Sequence, residues 1–239
     1  MYNKLIDNKN AIGVLVRNNC PLIVENVSMM GIDFVLMDRQ HGMWDLENLT
    51  FACRSAYYNN VIPMVNVRKN DYSEIGLVLD RGAKAILVPM VNTFDEAVKA
   101  ADSTYYPPKG NRSLGAFGVG FLGENYVENI QDDIFLGVTI ETKEAIKNMR
   151  EILSVDGING CFIGPGDLAK DYGIENGGHY HEEIILKALE TCLELKKLPG
   201  ILGGRAKYWT KRGFKIAILG AADIYIKKGL EEDLEKYST

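Results

Sequence analysis

No stretch of this 239-residue sequence approaches the roughly 18 consecutive apolar residues of a membrane-spanning helix. The opening MYNKLIDNKNAIGVLVRNN has no basic head, long apolar run and small-residue cleavage site, so a cytoplasmic protein is expected. Cysteine is sparse: Cys20, Cys53, Cys161 and Cys192 stand far apart with no CxxC pair. That argues against a disulfide framework or zinc ribbon and for buried free thiols, Cys161 lying in an apolar run. Basic residues are not in excess. A formal charge of −5 with scattered Lys and Arg gives no attraction to nucleic acid or anionic lipid. No Pro/Gly/Ser-rich linker, low-complexity tract or fixed-period repeat divides the chain, so residues 1–239 read as a single domain.

What is present is 46% hydrophobic and 25% charged residues, enough to bury a large core. Short β-rich runs recur: IGVLVR from Ile12, FVLMD from Phe34, PMVNVR from Pro63, AILVPM from Ala85, FLGVTIE from Phe135, GCFIG from Gly160, PGILGG from Pro199 and FKIAILG from Phe214. Between them, DLENLTFACRSAYYN, TFDEAVKAADSTYY, TKEAIKNMREILSV and HEEIILKALETCLELKK repeat apolar residues three and four apart, as helices do. Eight strands alternating with helices predict parallel pairing closed as a (β/α)8 TIM barrel. One long irregular segment, residues 105–126, is expected at the carboxyl end of the fourth strand, where barrels build their sites.

Polar residues at the carboxyl ends of such strands face the active site. Asp38, Arg39, Gln40 and His41 close the second run, Asn66 and Arg68 the third, Thr139 and Glu141 the fifth, and Asp167 follows the sixth. Glu141 and Asp167 are oxygen ligands suited to Mg²⁺, Mn²⁺ or a similar ion. Equally, Glu141 can pair with an arginine and Asp167 can cap the next helix. The N–H groups of Gly166 and Asp167, opening that helix, suit a substrate carboxylate, although Gly164 and Gly166 also suit a tight turn. A histidine in a Gln-His-Gly turn is more often structural than catalytic, and His179 and His181 read as surface or capping residues. Gly203, Gly204 and Gly220 read as compact turns in preference to a phosphate site.

DFVLMDRQHGMWDLENL, PMVNVRKND, LDRGAKAILVPMVNTFDEA, YYPPKGNRSLG, TIETKEA, GINGCFIGPGDLAKDYG and GFKIAILGAAD occur in this order. Across residues 13–223 the sequence resembles the HpcH/HpaI family of metal-dependent class II pyruvate aldolases, which cleave 4-hydroxy-2-oxo acids. The resemblance implies that Glu141 and Asp167 bind a divalent ion (Mg²⁺, Mn²⁺ or Co²⁺). It implies that His41 is the proton-transferring base, in a dyad with Asp80 contributed by a neighbouring subunit. The ion would then grip a 2-oxo acid and stabilise the pyruvate enolate left when the C3–C4 bond breaks. A polyhydroxylated aldehyde is a candidate second product. It further implies a homo-oligomer, hexameric or a trimer of dimers, with the C-terminal helix GLEEDLEKYST packing on a neighbour.

Four neighbouring positions depart from the family pattern. Asn66 stands where it has an arginine, Gln40 where it has glutamate, Arg39 where it has a small or neutral residue, and Thr139 where it has glutamine. Gln40, Asn66 and Thr139 remain candidate substrate contacts. Residues two apart on a strand share a face, so Arg68 is expected to reach back over Asn66 and restore the missing charge, with Arg39 as the substitute. Two other readings stay open: different enolate chemistry (decarboxylation, isomerisation or epimerisation) on the same metal pair, and a catalytically silent ligand-binding or assembly barrel.

Overall fold

The computed structural model describes Leu5, residues 10–115 and residues 118–238. The N-terminal stretch read above for a leader lies mostly outside these residues, as do positions 116 and 117 of the long irregular segment. All eight apolar runs are strands: β1 (Ala11–Val16), β2 (Phe34–Asp38), β3 (Ile62–Asn66), β4 (Ala85–Val88), β5 (Phe135–Ile140), β6 (Gly160–Ile163), β7 (Leu198–Ile201) and β8 (Ile216–Ala221). They pair in parallel, in sequence order, and β8 returns to β1 to close the expected barrel.

The helices outside the barrel are α1 (Pro21–Ser28), α2 (Leu46–Tyr58), α3 (Tyr72–Asp80), α4 (Phe94–Thr104), α5 (Tyr126–Asp133), α6 (Lys143–Ser154), α7 (Pro165–Tyr172), α8 (His179–Glu194), α9 (Ala206–Thr210) and α10 (Ala222–Ser238). Side-chain caps start several of them at the carboxyl rim: Asp45 on α2, Asp71 on α3, Thr93 in a capping box with Glu96 on α4, and Thr142 on α6. Among the described residues no helix is long and apolar enough to cross a membrane.

Strand alternation divides the core in two. Phe34, Leu36, Ile62, Met64, Phe135 and Phe162 fill the barrel interior, while Val35, Met37, Val65, Ile86 and Val138 pack under the helices. Glycines make room for the large inward rings: a Cβ on Gly13 would stand 2.5 Å from the Phe34 ring, and one on Gly200 2.7 Å from that of Phe162.

The long segment is not where the sequence reading placed it. Helix α4 intervenes after β4 and carries the chain to the opposite, amino-terminal rim before residues 105–125 begin. There Arg112, buried and stacked 4.6 Å from the Tyr106 ring, donates to Asp80 Oδ1 at 2.5 Å, and the Gly118 N–H donates to the Asp80 carbonyl at 3.0 Å. Cys53, Cys161 and Cys192 are buried free thiols, as expected; Cys20 is partly exposed. His181 is buried as well, its Nδ1 accepting the Gly177 N–H at 2.9 Å as a local cap of α8, whereas His179 is exposed.

Candidate active site

The inward face of β5 runs Phe135, Gly137, Thr139 and on to Glu141, just past the strand at the carboxyl mouth. Glu141 is 5% exposed, and its Oε1 accepts from Thr139 Oγ1 at 2.7 Å and from the Met90 N–H at 3.1 Å. Met90 itself is held at φ 55°, a backbone region costly for a side chain with a Cβ. Both hydrogen bonds fall on Oε1, so among the described residues Oε2 is uncommitted. Gly164 provides its space: a Cβ there would stand 2.7 Å from Oε2. Asp167, in the first turn of α7, is exposed and makes no capping hydrogen bond.

Burial pushes the Glu141 carboxyl above its ordinary value; the Thr139 and Met90 hydrogen bonds oppose this, the Asp167 charge adds to it and His41 again opposes it. Those charge effects place Asp167 and His41 within electrostatic reach of Glu141. Neither bland alternative holds, since among the described residues Glu141 has no arginine partner and Asp167 caps nothing. Two like charges with a free, partly desolvated oxygen suit a divalent cation, which relieves both the repulsion and the desolvation. Among the described residues no group of three or more His, Cys, Asp or Glu is placed to hold a metal ion, so an ion on Glu141 and Asp167 would need water or substrate as its other ligands. Gly164→Ala should therefore weaken Mn²⁺ binding by about 10- to 100-fold, comparable to losing an outer support of a metal ligand. Unchanged Mn²⁺ affinity on calorimetric titration would remove Gly164 from the site.

Across the mouth, Asp38 shapes the turn that carries His41. Its Oδ1 accepts the N–H groups of Gln40 at 2.9 Å and His41 at 3.2 Å, and Asn66 Nδ2 at 3.3 Å. The turn closes only with glycine at position 42, where a Cβ would lie 2.1 Å from the Asp38 carbonyl. His41 is left exposed at the apex. Asn66 Nδ2 also donates to Gln40 Oε1 at 3.0 Å, and Asn66 is 7% exposed. Its amide hydrogens are spent on protein acceptors, so Asn66 and Gln40 form a neutral wall and supply no charge.

Arg68 and Arg39 do not supply that charge either. Arg39 continues the outward face of β2, is buried, and donates to Glu74 Oε1 at 2.9 Å and to the Trp44 carbonyl at 2.6 Å. Arg68 lies beyond the end of β3 and turns to the same carboxylate, with Nη2 2.6 Å and Nε 3.0 Å from Glu74 Oε2. The expectation that Arg68 folds back over Asn66 rested on strand alternation continuing to position 68. Instead, a buried carboxylate in the first turn of α3 draws the guanidinium outside the barrel wall. Glu74 is held below its ordinary carboxyl range; burial opposes this, and the hydrogen bonds from Arg39 and Arg68 outweigh burial.

Asp80 ends α3 at the amino-terminal rim, with Arg112, far from its own chain's His41 turn at the carboxyl rim. Thr139 is buried beneath Glu141, a support of that carboxylate more than a wall of the cavity. Gly166 is exposed at the start of α7, which has no side-chain cap, so among the described residues its first N–H groups are uncommitted. Gly203 and Gly204 have φ of 88° and 78°, conformations that compact turns require. One mouth residue was missed altogether: Arg17, just past β1 on the inward face that follows Gly13 and Leu15. Its signal was a charged residue ending an apolar run.

The class this describes is a (β/α)8 enzyme working from its carboxyl mouth. The family described as HpcH/HpaI aldolase/citrate lyase matches residues 11–205. A hydroxypyruvate/pyruvate aldolase of Sagittula stellata is 39% identical over 187 residues, covering 76% of this chain and 72% of that protein. A 4-hydroxy-2-oxo-heptane-1,7-dioate aldolase of Klebsiella pneumoniae is 33% identical over 211 residues, covering 84% of this chain and 79% of that protein. Among solved structures, an HpcH/HpaI aldolase/citrate lyase family protein of Burkholderia cenocepacia shares the fold with a TM-score of 0.92 at 20% identity, covering 100% of this chain and 98% of its own. The chain belongs to the HpcH/HpaI aldolase/citrate lyase family.

Proposed function

We propose that this chain is a divalent-metal-dependent, cytoplasmic aldolase. It cleaves, or in reverse forms, the C3–C4 bond of a 4-hydroxy-2-oxo acid, with pyruvate or a close relative as one product. The observation that carries the reading is the free Oε2 of buried Glu141 within electrostatic reach of the Asp167 carboxylate at the carboxyl mouth. Glu141 and Asp167 would hold Mg²⁺, Mn²⁺ or Co²⁺, which supplies Lewis-acid polarisation of a 2-oxo group when bound.

The chain's own residues supply the rest. The open N–H groups of Gly166 and Asp167 orient the substrate carboxylate. His41, displayed by the Asp38-pinned turn, takes the 4-hydroxyl proton as the C3–C4 bond breaks. C4 leaves as the aldehyde carbonyl, and the electron pair passes to the three-carbon fragment, which is protonated at C3 to give pyruvate. Asn66 and Gln40 line the substrate without charging it, while Thr139 steadies Glu141. Arg68 acts at one remove, by bracing Glu74 and α3. The test is pyruvate release from 4-hydroxy-2-oxo acids by protein freed of metal with a chelator, then resupplied with Mg²⁺, Mn²⁺ or Co²⁺. Activity that survives the chelator, or that no metal restores, refutes it.

The working form on this reading is a homo-oligomer. Helix α10 leaves the barrel with Ile226, Leu230, Leu234 and Tyr237 exposed along one stripe. Between α10 and α1, beside β8, lies an apolar groove of about 440 Å³ lined by Val14, Ile23, Val27, Met30 and Leu219, with Tyr225 and Ile226 of this chain's own α10 forming one wall. Beyond Leu219 a second cavity, of about 520 Å³, is bordered by Arg205, Lys207, Lys211 and Arg212. The stripe carries Glu231, Glu232 and Glu235 beside it, so a neighbour's α10 fits both apolar groove and basic border. Light scattering should give a multiple of the 26.6 kDa chain and a monomer for a chain ending at residue 221; a full chain at monomer mass would refute the assembly.

Asp80 then serves a neighbour's His41. Separately inactive His41→Ala and Asp80→Ala proteins, unfolded and reassembled together, should recover activity that neither shows alone. No recovery from mixed assemblies of confirmed composition would place both halves of the dyad elsewhere.

A further inference from the structure

Arginines follow β1, β2 and β3 at the carboxyl rim, and their partners decide which one a substrate can use. Arg39 is 6% exposed and lies outside the wall on Glu74 and Trp44. Arg68 commits Nε and Nη2 to Glu74 on the same outer side. Arg17 differs. Ala11 and Leu15 of β1 pack on the barrel interior, and a Cβ on Gly13 would strike the inward Phe34 ring, so position 17 continues the inward face. The register Val16↔Met37 sets Arg17 beside Asp38. Its carbonyl accepts the Met43 N–H at 2.9 Å, locking it against the His41 turn.

The Arg17 side chain is 39% exposed, and its guanidinium spends one nitrogen, Nη2, on Asp223 Oδ2 at 2.7 Å. Among the described residues its Nε and Nη1 have no hydrogen-bond partner. In a closed ring of eight strands in sequence order, β1 faces β5, so Arg17 looks across the mouth toward Glu141. The His41 turn, after β2, lies along the side between them.

We infer that Arg17 is the specificity-determining cation of this site, and that it binds a carboxylate at the end of the substrate remote from the 2-oxo acid group. The inference rests on the aldolase reading for the placement of the 2-oxo acid at Glu141 and Asp167. With that end fixed across the barrel and the bond to be broken beside His41, the far end of the aldehyde half extends toward β1. A planar guanidinium with two open donors suits a carboxylate there. Asp223 holds Arg17 in place and competes with the ligand for it.

The test is calorimetric titration of the Mn²⁺-loaded protein with 2-oxoadipate, which has a terminal carboxylate, and with 2-oxohexanoate, which has none. The unmodified chain should bind 2-oxoadipate about 10- to 100-fold more tightly, the range for a charge-assisted hydrogen-bonded pair. Arg17→Leu should erase that preference, Arg17→Lys should keep part of it, and Asp223→Asn should increase it by freeing the guanidinium. A merely structural Arg17 would weaken both ligands together and leave their ratio unchanged. The inference is overturned by an unmodified chain that shows no preference or binds neither compound, or by an Arg17→Leu variant that keeps the preference. Since the titration reads binding, it decides the role of Arg17 even if no pyruvate is released from any 4-hydroxy-2-oxo acid, the result that refutes the aldolase reading alone.

Discussion

Glu141→Ala and Asp167→Ala are each expected to abolish Mn²⁺ binding and metal-dependent pyruvate release while leaving the barrel folded. Each removes one of the two proposed protein ligands, and the loss should exceed the 10- to 100-fold reduction typical of deleting an outer support. The fold should survive for different reasons at the two positions. Asp167 is exposed and caps nothing, so its loss leaves no buried group unpaired. Glu141 is buried with a carboxyl pushed up mainly by desolvation, so alanine relieves an unfavourable charge at the cost of the Thr139 and Met90 hydrogen bonds. In the metal-free state Glu141→Ala should therefore melt close to the unmodified protein. The unmodified protein should gain thermal stability on adding Mn²⁺, and the two variants should not. Equal stabilisation by Mn²⁺ in all three proteins would place the ion elsewhere.

Glu74→Ala should be the most destabilising of the single changes considered, at about 3–5 kcal/mol, because it strands Arg39 in the wall between β2 and α3. The pair is almost fully enclosed, with side-chain exposures of 4% for Arg39 and 2% for Glu74. For a domain of this size the melting temperature should fall on the order of 10 °C. Arg68→Ala should cost roughly 1 kcal/mol or less, since that side chain is 60% exposed and screened by water. Replacing both buried partners, Arg39→Met with Glu74→Leu, should recover much of the loss, because no charge is then left alone. If the double variant melts as low as Glu74→Ala, stranded charge is not the cause.

The pH dependence has a definite sign. Glu74 is held below its ordinary value in the folded chain, so its contribution is in place above the unfolded carboxyl value of about 4.3 and is lost as pH falls through the lower folded value. The gap in stability between the unmodified protein and Glu74→Ala should therefore shrink below about pH 4. Turnover should suffer in Glu74→Ala as well, since Arg39 also holds the Trp44 carbonyl at the end of the turn that carries His41.

Where the strands lie was legible because both faces of a parallel barrel strand are buried, so each appears as an unbroken apolar run such as FVLMD. The candidate metal pair, Glu141 and Asp167, came from the family resemblance, because the positions of the two carboxylates alone left an arginine partner and a helix cap equally open. The rim occupied by residues 105–115 was misread because that depends on the number of elements traversed, and TFDEAVKAADSTYY intervenes. The direction of Arg68 could not be read, since the partner that draws it away sits in another element and is six residues further along.

By itself, then, the sequence determined the architecture and the rim on which the candidate site residues fall, because both follow from local periodicity and from the end of a strand at which a residue falls. Only the tertiary structure decided which arginine faces the barrel. Arg39, Arg68 and Arg17 are equivalent as sequence, three cations near strand ends. They differ because Glu74, brought beside β2 by the packing of α3, captures two of them, whereas Asp223, arriving at the end of β8, leaves the third partly free. Competition among charges for partners is settled by distance and desolvation, and both exist only once the barrel has closed.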